Sequence, residues 1–182
     1  MFSENDLVFY PAQGVGRVEH IQNKDLGGVS CLLYVVRMLS NDATLLVPVD
    51  NADKVGLRSL VPPETARTIL DGLYNDTDRP VPGGQNWNRR FREYTDRLKQ
   101  SDLETLASVL QFLLVQGKTK ELSFGERRLQ EHALDLVLGE LSQVLDIPEA
   151  TMRQELVQRY MPAGKERQED GQAATVAPRQ PS

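Results

Sequence analysis

Val61-Pro62-Pro63-Glu64-Thr65-Ala66-Arg67-Thr68-Ile69-Leu70-Asp71-Gly72-Leu73 is where the hydrophobic period of the chain changes. Proline fits the first turn of a helix, where no amide donor is needed, and Ala66, Ile69, Leu70 and Leu73 follow at helical spacing. Everything upstream reads as strands and everything downstream as helices, so this stretch divides the chain near residue 60.

Upstream, Leu7-Val8-Phe9-Tyr10 is an apolar run stopped by Pro11, and Gly14 to Ile21 alternates apolar with polar or small residues after a glycine turn. An antiparallel pair is expected. Asp25-Leu26-Gly27-Gly28 is turn chemistry, and Cys31 to Leu39 is a β-branched, apolar run interrupted by Arg37 before Ser40-Asn41-Asp42. Thr44-Leu45-Leu46-Val47 is a further strand ended by Pro48. Four or five strands at intervals of about ten residues are too few to cover both faces of two sheets; they suit a small SH3-like or Tudor-like β-barrel. Gly14-x-Gly16 lacks the third glycine and the βαβ context of a phosphate-binding loop and reads as a turn.

Downstream, residues 76 to 84 break the first helix and lead into Trp87-Asn88-Arg89-Arg90-Phe91-Arg92-Glu93-Tyr94-Thr95-Asp96-Arg97-Leu98. With Asn88 as cap, Phe91, Tyr94 and Leu98 form one buried stripe and the arginines point elsewhere. Ser101 to Glu104 and Ser123 to Glu126 read as capping boxes. The first precedes Leu106, Leu110, Leu113 and Leu114; the second precedes Leu129, Ala133, Leu136, Val137 and Leu141. Asp146-Ile147-Pro148-Glu149 opens a last helix with Met152, Leu156 and Tyr160 on one face. The reading is an α+β two-domain chain: a β-barrel over 1–60, an all-α helical bundle over 61–161, and a polar tail over 162–182 too poor in apolar residues to order itself.

At 182 residues with 40% hydrophobic content the chain can bury a core in each domain, and no run reaches the roughly 18 apolar residues of a membrane span. The N-terminus lacks signal-peptide regions, so a cytoplasmic location is expected. The single Cys31 has apolar neighbours and reads as a buried strand thiol. The two histidines, His20 and His132, have no partners at metal-ligand spacing, and no nucleophile elbow is present. Neither a metal, a cofactor nor an enzymatic activity is expected.

A formal charge of −5 argues against a free-standing nucleic-acid binder. Yet Trp87 to Lys99 carries five cations against two anions, a local +3. The only tryptophan precedes those arginines. Spacing leaves it two roles: a hydrophobic staple on its own helix, or an outward indole that wedges against a base step while arginines hold phosphates.

Four stretches, in order, carry a resemblance: Val8-Phe9-Tyr10-Pro11-Ala12-Gln13-Gly14-Val15-Gly16, Val47 to Arg58, Asn86-Trp87-Asn88-Arg89-Arg90, and Leu122 to Arg128. Together they resemble the CarD/CdnL family of bacterial transcription regulators over residues 2 to 160. The resemblance implies that the Tudor-like domain binds the β subunit of RNA polymerase, one copy per polymerase. It also implies that the helical domain contacts upstream promoter DNA, without sequence preference, at the edge of the transcription bubble. Trp87 would wedge into the minor groove there and hold the open complex, with Arg89, Arg90, Arg92 and Arg127 on phosphates. The polymerase contact would be the exposed strand Thr44, Leu45, Leu46, Val47 and Pro48 together with Lys24; Leu46 and Lys24 stand where relatives carry arginines. The alternative is an adaptor that uses the barrel to recruit another protein and never touches DNA. A motor-containing repair coupling factor, which shares the barrel module, is excluded by length and by the lack of a Walker-type loop.

Overall fold

A computed structural model describes residues 1–78 and 86–162, apart from the side chain of Trp87. The expected loop therefore lies partly outside the described residues, and the tail beyond Pro162 lies wholly outside them. Among the described residues five strands precede five α-helices, the α+β arrangement expected. Strands β1 (Leu7–Tyr10), β2 (Gly14–Leu26), β3 (Val29–Met38), β4 (Thr44–Pro48) and β5 (Arg58–Ser59) form one antiparallel sheet in the order β4-β3-β2-β1-β5. The return of β5 to pair with β1, Phe9 opposite Arg58, closes the lobe before the helices begin.

Two features differ from the sequence reading. β2 does not end at Ile21 but runs to Leu26, after a register shift between Val18 and His20 that bends the strand. The long β2–β3 hairpin turns on Gly27 and Gly28, both at positive φ (66° and 86°), the geometry of a two-residue type I′ turn. Because the hairpin projects, Cys31 is half-exposed near its tip opposite Lys24, not buried. Apolar neighbours in sequence did not mean neighbours covering it in space.

The sheet curls around Val8, Val18, Tyr34, Val36, Met38 and Val47. Phe9 and Val15 of the sheet belong instead to the core of the helices. Those helices are α1 (Pro63–Asn75), α2 (Trp87–Leu98), α3 (Leu103–Thr119), α4 (Phe124–Leu145) and α5 (Glu149–Arg159). The expected faces are buried: Ala66, Ile69, Leu70 and Leu73 on α1, and Met152 and Leu156 on α5 with Tyr160 just beyond it. Tyr160 donates its hydroxyl to the Leu73 carbonyl at 2.8 Å, tying the end of α5 to α1.

The helix starts required three corrections. Asn86, not Asn88, caps α2, its side chain accepting from the Asn88 amide at 3.1 Å. Asp102, not Ser101, caps α3 by accepting from Thr105. Asp146 does not open α5; it closes α4 in the left-handed conformation, φ 55°, which a short polar side chain tolerates. The Ser123–Glu126 capping box is formed as read.

Candidate nucleic-acid and partner interfaces

Moving the α2 cap to Asn86 places Trp87 at the first helical position. A hydrophobic staple joins the residue before the cap to the fourth residue of the helix, here positions 85 and 90, and Arg90 cannot supply the apolar half. The staple role read for Trp87 therefore loses its geometry. The indole itself lies outside the described residues.

Of the five cations counted on this segment, two are neutralised locally. Arg97 pairs with Glu93 at 2.6 Å and Lys99 with Asp96 at 3.3 Å. The other three cations of the segment are Arg89, Arg90 and Arg92. Arg89 and Arg92 are exposed, whereas Arg90 is half-buried. Burial pushes the Tyr94 hydroxyl up to about 12, with the charge of Arg90 acting in the opposite sense, so Arg90 lies close to the core side of the helix. Tyr94 and Leu98 are buried and Phe91 is packed against them, the stripe expected.

Arg127 lies one turn into α4, exposed and at 3.6 Å from Glu121. The two arginine-bearing helix starts are adjacent: a Cβ on Gly125 would lie 3.5 Å from Phe91 Cε2. Beneath them Glu126, buried, is held by Gln116, by Lys120 at 3.3 Å and by the Ser123 amide at 2.7 Å. Desolvation raises its pKa, but the hydrogen bonds from Ser123, Lys120 and Gln116 outweigh it, and the carboxyl is held below its ordinary range. The scaffold under Arg127 is thus built on a charged, fully engaged carboxylate.

Sequence reasoning missed Phe124, assigned only to a capping box. Its ring is 74% exposed, with the Arg128 guanidinium 5.8 Å from its centroid. An aromatic at a helix start followed by paired arginines also occurs in Trp87-Asn88-Arg89-Arg90, with the arginines one residue nearer the ring, and that likeness was a readable signal.

On the β lobe, β4 is an edge strand, paired only with β3. Leu45 is half-buried and Val47 is buried in the lobe core, so these two offer backbone alone; Thr44 and Leu46 are exposed, Leu46 by 47%. Register joins the two expected docking pieces. Leu46 opposes Val35, which in turn opposes His20; Pro48 opposes Leu33, which in turn opposes Gln22; and Lys24 opposes Cys31, all at alternate positions on one face. Leu26, read as part of the turn, and Val29 extend that face outward at 51% and 67% exposure.

Among the described residues no helix is long and apolar enough to cross a membrane, and no cluster of three or more His, Cys, Asp or Glu is placed to hold a metal.

A family model described as CarD-like/TRCF RID domain matches residues 2–61, and one described as CarD, C-terminal domain matches residues 74–157. YdeB of Bacillus subtilis (strain 168), a protein named as a transcription factor, is 25% identical over 154 residues, 84% of this chain and 98% of its own. Among solved structures, CdnLNt from Myxoccoccus xanthus is 34% identical and covers 34% of this chain and 86% of that one; its TM-score of 0.30 is too low to bear on the fold.

Proposed function

The chain belongs to the CarD/CdnL family, and on that premise we propose that it regulates transcription by docking on the RNA polymerase β subunit and stabilising the promoter open complex. The β lobe, residues 1–60, is the docking module. The helical lobe, 61–161, contacts DNA at the upstream edge of the bubble, and 162–182 is left without a role. Docking uses the backbone of β4 from Thr44 to Pro48, the mode of a strand added to a sheet edge, with Lys24, Leu46 and the exposed Leu26 and Val29 alongside. Arg89, Arg92 and Arg127 hold phosphates, Arg90 orders the helix start from its half-buried position, and Trp87 wedges into the minor groove.

The observation that carries this reading is the exposed Arg89 and Arg92 at the start of α2, on a helix where Arg97 is taken up by an ion pair with Glu93. Such a patch is too weak to hold free DNA on a chain of net charge −5. Carried by the polymerase, it acts at an effective concentration of order millimolar. A wedge and two or three phosphate contacts then offset the few kcal/mol, roughly, of unstacking one step. About 1.4 kcal/mol of net stabilisation slows bubble collapse tenfold. The protein works in the cytoplasm, as one copy on each polymerase. Trp87→Ala tests it: β-subunit capture stays at the wild-type level and open-complex lifetime falls, whereas an unchanged lifetime with the protein bound refutes the wedge.

A further inference from the structure

We propose that Arg58 and Glu140 are a positioning pair that sets the angle between the β lobe and the helical lobe. Glu140 is completely buried within α4, on a helix face otherwise made of Leu136, Val137 and Leu141. A carboxylate there is costly unless every lone pair is engaged, and here each oxygen is. Arg58 donates Nη1 to Oε1 at 2.6 Å and Nη2 to Oε2 at 2.8 Å, a two-pronged fork, and the Val61 amide donates to Oε1 at 2.9 Å.

The guanidinium is itself fixed from three further directions. It lies 4.4 Å from the Phe9 ring centroid, its Nε donates to the Ser101 carbonyl, and its Nη1 also donates to the Ser59 carbonyl at 3.0 Å. Ser101 in turn donates its hydroxyl to the Gly56 carbonyl at 2.7 Å. One ion pair therefore collects β1, β5, the connection into α1, the α2–α3 turn and α4. Buried pairs of this kind contribute little net stability relative to apolar residues of the same shape, but they tolerate few geometries. The function that matches the arrangement is orientation.

On the reading under Proposed function, orientation matters because the β4 edge and the α2–α4 arginines belong to different lobes. A docked β lobe delivers the arginines to the bubble edge only if the angle is held. Arg58 and Glu140 are then positioning residues that touch neither partner.

The test uses the full chain in a Cys31→Ser background, spin-labelled at Lys54→Cys in the β lobe and Gln154→Cys on α5, both exposed positions. The parent gives one narrow distance distribution. Glu140→Gln, which keeps the side-chain shape, broadens or shifts it, and Arg58→Lys, which keeps the charge but not the fork, gives an intermediate result. A merely structural role lowers Tm without moving the distribution; a narrow, unmoved distribution in folded Glu140→Gln overturns the proposal. In a promoter assay, unlabelled Glu140→Gln retains β-subunit capture and shortens the open-complex lifetime by about five- to tenfold. A parental lifetime in that variant, despite a broadened distribution, overturns the link between angle and function. If the parent itself fails to lengthen the lifetime, the proposed function fails, while the distance measurement still decides the positioning role.

Discussion

Phe91 of α2 and Gly125 of α4 are nearest neighbours across the helical lobe, the ring edge 3.5 Å from where a Cβ would stand. This is ordinary contact, so the glycine is not required by space, nor by its backbone. Gly125→Ala should fold, with stability raised by about 0.5–1 kcal/mol from the better helix propensity. Gly125→Leu has no room without displacing Phe91, and should lower Tm and separate the two arginine-bearing starts. Thermal denaturation of both variants checks the pair.

Leu46 is the exposed residue at the centre of β4, the proposed docking edge. Leu46→Glu leaves the lobe core untouched because its side chain faces away from Val47, so stability should change by less than about 0.5 kcal/mol. Capture of the β subunit should be lost, and a normal pull-down would refute the edge assignment.

Arg89 and Arg92 should each account for close to one phosphate contact. The double change Arg89→Ala with Arg92→Ala is expected to reduce the slope of log affinity against log salt, for the polymerase–promoter complex, by about 1.8 in magnitude. An unaltered slope would favour the adaptor that never touches DNA. Arg97→Ala, by contrast, frees Glu93 from its pair and should weaken binding only slightly.

The carboxyls of Glu126 and Asp102 are both held below their ordinary values of 4.5 and 3.8. For Glu126 the hydrogen bonds of Ser123, Lys120 and Gln116 outweigh desolvation; for Asp102 the leading cause is the Thr105 hydroxyl. Each group binds protons more readily unfolded than folded, so its contribution is fully present above those ordinary values and is lost as pH falls through the lower, folded ones. Tm should therefore drop as the pH is taken from 5 toward 3, by roughly these groups' share. Glu126→Gln should lower Tm at neutral pH and flatten the acid limb.

Much of the scaffold was legible because its cause is local. Ala66, Ile69, Leu70 and Leu73 announce a buried helix face through spacing alone, as do Met152, Leu156 and Tyr160, and the Ser123–Glu126 box forms from residues three apart. Errors arose where two local solutions are nearly equal. Asn86 and Asn88 are equally good caps two residues apart, and choosing the second kept a staple role open for Trp87 beside the wedge. Cys31 was misjudged because exposure along a hairpin depends on how far it projects beyond the other lobe, which no strand pattern encodes. Charge counting singled out the segment that carries Arg89 and Arg92, and Arg127 entered through the family resemblance, but the half-burial of Arg90 follows from which face of α2 meets the core. Phe124 stayed hidden behind its capping box.

Arg58 and Glu140 stand 82 residues apart in sequence. At a translation rate of about 5–20 residues per second, Arg58 leaves the ribosome roughly 4–16 s before its partner. The β lobe, whose last strand ends at Ser59, can complete its own sheet in that interval, but the guanidinium on its rim stays solvated until most of α4 has been made. Assembly of the nascent protein is therefore ordered: the sheet of the β lobe first, and its relation to the helices only near the end of synthesis.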